Sequence, residues 1–306
     1  HCNMDTFSQM VTAQAILFLY LAVGYYCRSS GLFDDNTRDK LSDFTIRIVL
    51  PCMVFESFHM PFSLEILQQG ALALTVASAM ALVALPLGRA LYNRFPPEEK
   101  SVMQYGTLVS NSAFAGFAIV SETYGSHGLF LASIFIIPTR ILMWSAGISL
   151  FDRTGSRWDR LKKILFNPAI IAVELGLIRM VLQLPLPEFF DTALDHIGDC
   201  TAPLAMILAG AILADVELRQ VFAPKAFYLV LVRQVLLPLI CLAGVKLLPI
   251  DPVTAGVSVV LTGMPIGSTT AILAQKYGAN AQFASKCLFV STLTSLITVP
   301  LITLLL

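Results

Sequence analysis

The sequence predicts an all-helical polytopic membrane protein: ten transmembrane helices, arranged as two inverted five-helix repeats, with helices four and nine interrupted. Three observations carry that expectation. Only 13% of the 306 residues are charged while 56% are hydrophobic, about half the charged share of a soluble domain. Apolar runs of membrane-spanning length recur ten times. Small, hydroxyl and proline residues interrupt two of those runs at matching places in the two halves.

The composition narrows the function classes first. Mean hydropathy is +0.75, and a soluble chain of this length would need a charged exterior that is missing here. Net charge is zero, so no overall field draws nucleic acid, and no basic run with interleaved aromatics occurs. The six cysteines (Cys2, Cys27, Cys52, Cys200, Cys241, Cys287) form no C-x-x-C and lie mostly inside apolar runs. That is the pattern of thiols acting as small hydrophobes, not of metal ligands or a disulfide framework.

A hydrocarbon core about 30 Å thick is crossed by about 20 helical residues. The ten runs lie at 10–27, 39–59, 67–91, 102–123, 127–151, 166–183, 189–213, 225–249, 254–276 and 281–304. No basic stretch precedes Val11–Cys27, so the first run reads as a retained span rather than a cleaved signal. The seventh is diluted in its first half by Asp191, Asp195, His196 and Asp199.

Lys and Arg set the orientation. Fourteen of the 20 follow odd-numbered runs: Arg28, Arg38, Lys40, Arg89, Arg94, Lys100, Arg153, Arg157, Arg160, Lys162, Lys163, Arg219, Lys225 and Lys276. Only Arg179 and Lys246 lie near the other face. A multi-pass protein of the cell membrane is expected, with both termini outside the cytoplasm.

Five runs (residues 1–151), a basic cytoplasmic linker (152–165) and five more runs (166–306) suggest a duplication. An odd number of spans per copy turns the second copy upside down. Pro51 and Pro203 are 152 positions apart, as are Pro86 and Pro238, Gly24 and Gly176, and Asp43 and Asp195. The pairs Tyr124-Gly125 and Tyr277-Gly278 are 153 apart. These last pairs close the two interrupted stretches: Thr107–Gly125, TLVSNSAFAGFAIVSETYG, and Leu261–Gly278, LTGMPIGSTTAILAQKYG. Such residues free backbone groups that hydrocarbon cannot satisfy, so they belong where protein or a cavity does. Interrupted segments at corresponding places in two halves point to a binding site at mid-depth.

The segments IVLPCMVF (48–55), SNSAFAGFAIVSETYG (110–125), NPAIIAVELGL (167–177), TAPLAMILAGAIL (201–213), LVRQVLLPLI (231–240) and MPIGSTTAILAQKYGANAQFAS (264–285) carry a resemblance. The chain resembles the auxin efflux carrier family of membrane transporters, nearer its compact bacterial branch than its plant PIN-formed members, whose long cytoplasmic insert is missing here. The resemblance implies that helices four and nine are broken and cross at the midplane, as in bile-acid transporter and cation–proton antiporter folds. It implies a scaffold of spans 1, 2, 6 and 7 and a mobile unit of spans 3–5 and 8–10, with organic anions, mainly carboxylates, as substrates. By position, Asn111 matches the family's asparagine ahead of the first crossing, Gly116 the glycine after it, and Pro265 the proline opening the second. Where plant members have prolines at the crossings, this chain has Ala118 and Thr270. Pro265 therefore breaks span nine, while span four relies on Ser, Asn and Gly.

A carboxylate leaving water needs donors in place of its hydration. The second half of each broken helix would offer N–H groups and the positive dipole end, and Ser110, Asn111, Ser112, Thr262, Ser268, Thr269 and Thr270 would add side-chain donors. The same residue types also serve plain helix–helix packing. Arg140 lies thirteen residues into its run, roughly 20 Å along a helix, where an ionisable residue reads as functional. It would neutralise the anion, or else pair structurally with Glu122 or Asp199. Asp199 stands 152 positions after Arg47, which suggests a scaffold salt bridge ahead of a proton site. Glu122 and Gln275, 153 apart, are candidates for a coupling sodium, though two oxygens are few for a hard cation. Glu174 is a weaker proton-coupling candidate. Arg233 and Lys286 start close enough to the cytoplasmic face to snorkel, and His59, His127 and His196 read as interfacial, without metal spacing.

The expected function is secondary transport of a small organic anion by elevator-type alternating access. An anion channel would need a polar lining along several spans, and a ligand-sensing receptor would share the same site. An intramembrane enzyme is not expected: G-x-S-x-G, H-E-x-x-H and G-x-x-x-x-G-K-[ST] are absent from the sequence. The expected partners are the anion, a coupling proton or sodium, the lipid bilayer and a second copy forming a homodimer. No nucleic acid, cofactor or metal is expected.

Overall fold

Helix caps and prolines place the breaks in an otherwise all-helical chain. The computed structural model describes residues 2–147, 149–151, 158, 162, 166–215, 223–267 and 269–306, and among these no strand forms beyond one isolated bridge. Helix α1 (Cys2–Ser29) stops before Gly31, whose φ of 80° an L side chain resists. Asp34 caps α2 (Asp35–Phe44), its carboxylate accepting from the Thr37 N–H at 2.7 Å. The Thr37 hydroxyl, and then that N–H, hold the Asp34 carboxyl below its usual range. A π turn, Thr45–Val49, joins α2 to α3 (Leu50–Glu56) just ahead of Pro51. Proline has no N–H for the carbonyl four residues back, and a widened turn accommodates the loss. The same device recurs in the second half: α10 (Pro224–Val230) passes through the π turn Leu231–Leu236 into α11 (Leu237–Leu247), with Pro238 just beyond.

Between these lie α4 (Leu64–Leu91), α5 (Pro97–Leu108), α6 (Phe117–Leu142), α7 (Pro168–Leu182), α8 (Glu188–Asp199) and α9 (Thr201–Ala214). The chain closes with α12 (Pro252–Thr262), α13 (Thr269–Lys276) and α14 (Ala281–Thr303). Each of the ten apolar runs falls on one helix or on consecutive helices. Among the described residues four segments are long and apolar enough to cross a membrane by length and composition: Leu64–Leu91, Phe117–Leu142, Pro224–Leu247 and Ala281–Thr303.

The fourth and ninth runs are interrupted. Helix α5 ends at Leu108, and the chain is non-helical until the π turn Ser112–Gly116 starts the next segment. Helix α12 ends at Thr262, and α13 begins at Thr269. Gly125, with φ 62°, breaks α6 into two helical pieces, and its counterpart Gly278 takes φ 72° beyond α13. The two Tyr-Gly pairs thus end comparable segments with a positive-φ glycine.

Large apolar side chains fill the centre of the bundle. Phe58, Phe117 and Phe130 are fully buried, with Phe58 and Phe130 edge to face at 5.2 Å. A second apolar cluster joins Tyr92, Val102, Leu229, Ile266 and Cys287, which brings α5, α10 and α14 against the second interruption. Helices α1 and α9 touch at backbone distance through Gly24 and Gly210.

Candidate functional site

The two interruptions meet. The Asn111 N–H donates to the Pro265 carbonyl at 2.8 Å, and the Gly267 N–H donates to the Val109 carbonyl at 3.1 Å. Ser110 and Ile266 form an antiparallel bridge between them. This short pairing satisfies backbone groups that both helices release where they break, which a low-dielectric interior requires. Ser112 Oγ donates to the Leu261 carbonyl at 3.2 Å and also bonds Ser110 Oγ. The Gly116 N–H donates to the Asn111 carbonyl at 3.2 Å. At Gly116 the second segment presses on α12: a Cβ there would lie 2.6 Å from Leu261 Cδ2.

Of the expected donors, Ser110 and Thr262 line one cavity, together with Thr139 of α6 and Arg233. Thr262 Oγ1 already donates to the Ser258 carbonyl at 2.7 Å. Thr269, at the start of α13, accepts from the Tyr105 hydroxyl at 3.2 Å. Thr270 is fully buried, and its Oγ1 has no hydrogen-bond partner among the described residues. Ser268 and the side chain of Gln275 lie outside the described residues. Ala118, where plant members have proline, is packed in the core, and the interruption of the fourth run lies upstream of it at Val109–Asn111.

Arg140 occupies a neighbouring cavity rather than that of Ser110 and Thr262. It is lined by Leu50 and Val54 of α3, Ala113 and Phe117 beside the first interruption, and Ile170 and Val173 of α7. The Arg140 Nε is sealed from solvent with no hydrogen-bond partner among the described residues, an arrangement that costs free energy unless something fills it. The structural pairing with Glu122 or Asp199 is not formed among the described ion pairs.

Those two acids face a different cavity, of about 370 Å³, lined by Glu56, Glu122, Asp195 and Asp199 with Ser57, Ser121 and Ser126. Here the sequence reading of Asp199 fails. Arg47 pairs with Asp43 one turn away at 3.3 Å, and both are exposed, so position in the repeat did not translate into contact. The two acids weighed separately as ion sites instead share one cavity. Glu174, on the exposed face of α7, joins none of these cavities.

Two arginines carry more than the sequence suggested. Arg233 does not snorkel: it is only 5% exposed, donating from Nε to the Met264 carbonyl at 3.2 Å and from Nη1 to the Thr107 carbonyl at 3.0 Å. Arg179, counted only as a loop-side charge, is equally buried and bonds Glu56 at 3.0 Å and Asp191 at 2.7 Å. His59 sits beside that group, 3.7 Å from Glu56, while His127 shares a 2.8 Å hydrogen bond with Gln69. Next to Arg233, Gln234 is fully buried; its amide donates to the Ser291 carbonyl and its oxygen accepts from Thr294.

Comparison with known proteins agrees with this arrangement at the level of family. The family model described as membrane transport protein matches residues 9–161 and 158–303. An uncharacterised transporter of Methanothermobacter thermautotrophicus is 25% identical over 297 residues, covering 95% of this chain and 96% of its own. An uncharacterised transporter of Methanocaldococcus jannaschii is 23% identical over 301 residues, covering 94% and 95%. The chain belongs to the auxin efflux carrier family of membrane transport proteins.

Proposed function

We propose that this protein is a secondary active transporter of a small organic anion, a carboxylate, with its site where the two interrupted runs pair. The single observation that carries the reading is the backbone pairing of Val109–Asn111 with Pro265–Gly267. In this reading the ten runs are ten membrane helices in two inverted repeats, residues 1–151 and 166–306, joined by the linker 152–165, and the two interrupted helices cross at mid-depth. Two segments then begin at the pairing, Ser112–Gly116 leading into α6, and α13, and their N-terminal ends suit an anion. Asn111, the hydroxyls of Ser110, Thr269 and Thr270, and Arg140 close by supply further donors.

The ion pairs support a division into two bodies. Among the described residues, Arg28 and Arg38 with Asp35 and Asp215 tie α1, α2 and the end of α9, and Arg179 with Glu56 and Asp191 separately ties α3, α7 and α8; these six helices make up the first body. The 2.6 Å pair of Glu99 on α5 with Lys225 on α10 lies in the second body, with α6 and α11–α14. No described ion pair joins the two bodies, so sliding of the second past the first would break no charge contact. Elevator-type alternating access fits that division, with both termini outside the cytoplasm by charge bias.

The acidic cavity deepens the picture. Glu56 is already paired with Arg179, and the remaining carboxylates, Glu122, Asp195 and Asp199, repel an anion and attract a cation; their oxygens with three serine hydroxyls offer the several hard ligands that a bare Glu122 would lack. A coupling sodium or proton belongs there, at Glu122 and Asp199. The homodimer is part of the same proposal, tested by the mass of the purified particle.

Saturable counterflow decides the main point. Proteoliposomes loaded with a carboxylate should take up labelled carboxylate against its gradient, whereas a channel would show conductance without exchange and a receptor would bind without flux. A stability screen of mono- and dicarboxylates, with sodium or choline at two pH values, identifies the anion and the coupling ion together.

A further inference from the structure

Two helices end at the paired interruptions and two begin there. The ends of α5 and α12 present carbonyls without intrahelical partners and about half a negative elementary charge each. The Arg233 guanidinium reaches both, bonding Thr107 O in the last turn of α5 and Met264 O just past α12. Its single positive charge therefore matches the sum of the two negative ends. The starts of the segment at Ser112 and of α13 carry about half a positive charge each, and no Asp or Glu is among the described residues lining the cavity beside the pairing. Arg233 also lines the cavity that holds Ser110 and Thr262.

We propose that Arg233 determines the charge selectivity of the site: by cancelling the negative helix ends it leaves the positive ends in excess, so that the ligand must be an anion. This rests on the anion reading above, and the two can fail separately. A lysine cannot substitute fully, because a point ammonium lacks the planar fork that serves two carbonyls at once. Gln234 fixes the segment that carries Arg233 to α14 through Ser291 and Thr294, so the guanidinium is held by its neighbours as well as by its own bonds.

The test compares purified wild type, Arg233→Gln and Arg233→Lys in equilibrium binding of acetate, succinate and benzoate against acetamide, succinamide and benzamide. Wild type should prefer the best carboxylate over its amide by tenfold or more. Arg233→Gln should reduce that preference at least tenfold while changing amide affinity less than threefold, which a merely structural role would not do. Arg233→Lys keeps the proposal testable if the neutral variant does not fold. Lysine, unlike arginine, sheds its proton within reach of an assay, so its carboxylate preference should be present at pH 7 and fall at least fivefold by pH 9.5. Tyr92 on the loop after α4, Tyr105 on α5, Arg140 on α6, Tyr228 on α10, Cys241 on α11 and Cys287 on α14 are titratable groups packed around the pairing and its neighbours, and α12 contributes none; wild type, flat over the same range, controls for them. An unchanged preference in Arg233→Gln, or a flat profile in Arg233→Lys, overturns the assignment of Arg233. A wild type that does not discriminate carboxylate from amide overturns the anion reading itself.

Discussion

Among the described residues Asn111 bonds through its backbone: its N–H donates to Pro265 and its carbonyl accepts from Gly116. Replacing the side chain therefore leaves the interruption intact. Asn111→Ala should weaken carboxylate binding about tenfold, the ~1.4 kcal/mol of a hydrogen bond to a charged group, with the melting temperature within about 2 °C of wild type. Unchanged affinity in a binding assay removes Asn111 from the site. Arg140→Gln should abolish carboxylate uptake in proteoliposomes, since an unsatisfied buried Nε is released while the charge is lost; normal uptake removes it too. The candidate site residues stood out in the sequence because hydroxyls, amides and charges are rare within its apolar runs. Their partners were not. Arg233 stands about 12 Å into its run by helical rise, a depth from which a side chain either snorkels or turns inward, and only the face of α10–α11 decides. Arg47 and Asp199 show the converse, since equivalent positions in two repeats need not be neighbours.

At the scale of elements, glycine decides where helices touch. A Cβ on Gly24 would lie 1.8 Å from the Ile207 carbonyl oxygen, and one on Gly210 would lie 1.9 Å from that of Leu21. Both obstacles are backbone, which cannot rotate aside, so α1 and α9 would have to separate. Gly210→Ala should cost about 1–3 kcal/mol, read as a lower melting temperature, whereas Gly244→Ala on α11, with open space around it, should be neutral or stabilise by up to about 1 kcal/mol. Equal effects of the two substitutions would show that α1 and α9 are not in such contact. The positions of these helices were readable from apolar length, and both interruptions from their Gly, Ser, Asn and Pro content. The fourth run breaks without a proline at Ala118 because the pairing with Pro265 and Gly267 supplies what a proline would otherwise force: freed backbone groups with partners of their own. The π turns before Pro51 and Pro238 went unread, since a proline announces a missing donor but not how the preceding turn absorbs it.

For the whole molecule the question is whether two bodies move. No described ion pair joins the two bodies, and the contact between them around Arg140 is mainly apolar, Leu50 and Val54 against Ala113 and Phe117, with a neutral hydrogen bond between the Ser57 and Ser133 hydroxyls at 3.3 Å. An interface without charge pairs can slide, because dispersion contacts and neutral hydrogen bonds are replaced by similar ones along the path. A chemical tether across it should therefore stop transport without emptying the site. With the native cysteines replaced, Leu50→Cys combined with Phe117→Cys, joined by a short bifunctional thiol reagent, should abolish counterflow while carboxylate binding stays within about threefold of the untethered protein. Each single substitution, treated alike, should transport normally and so control for damage to the packing. Counterflow that persists in the tethered protein would mean that the site opens to both sides without relative motion, and the elevator account would give way to a gated pore through fixed helices.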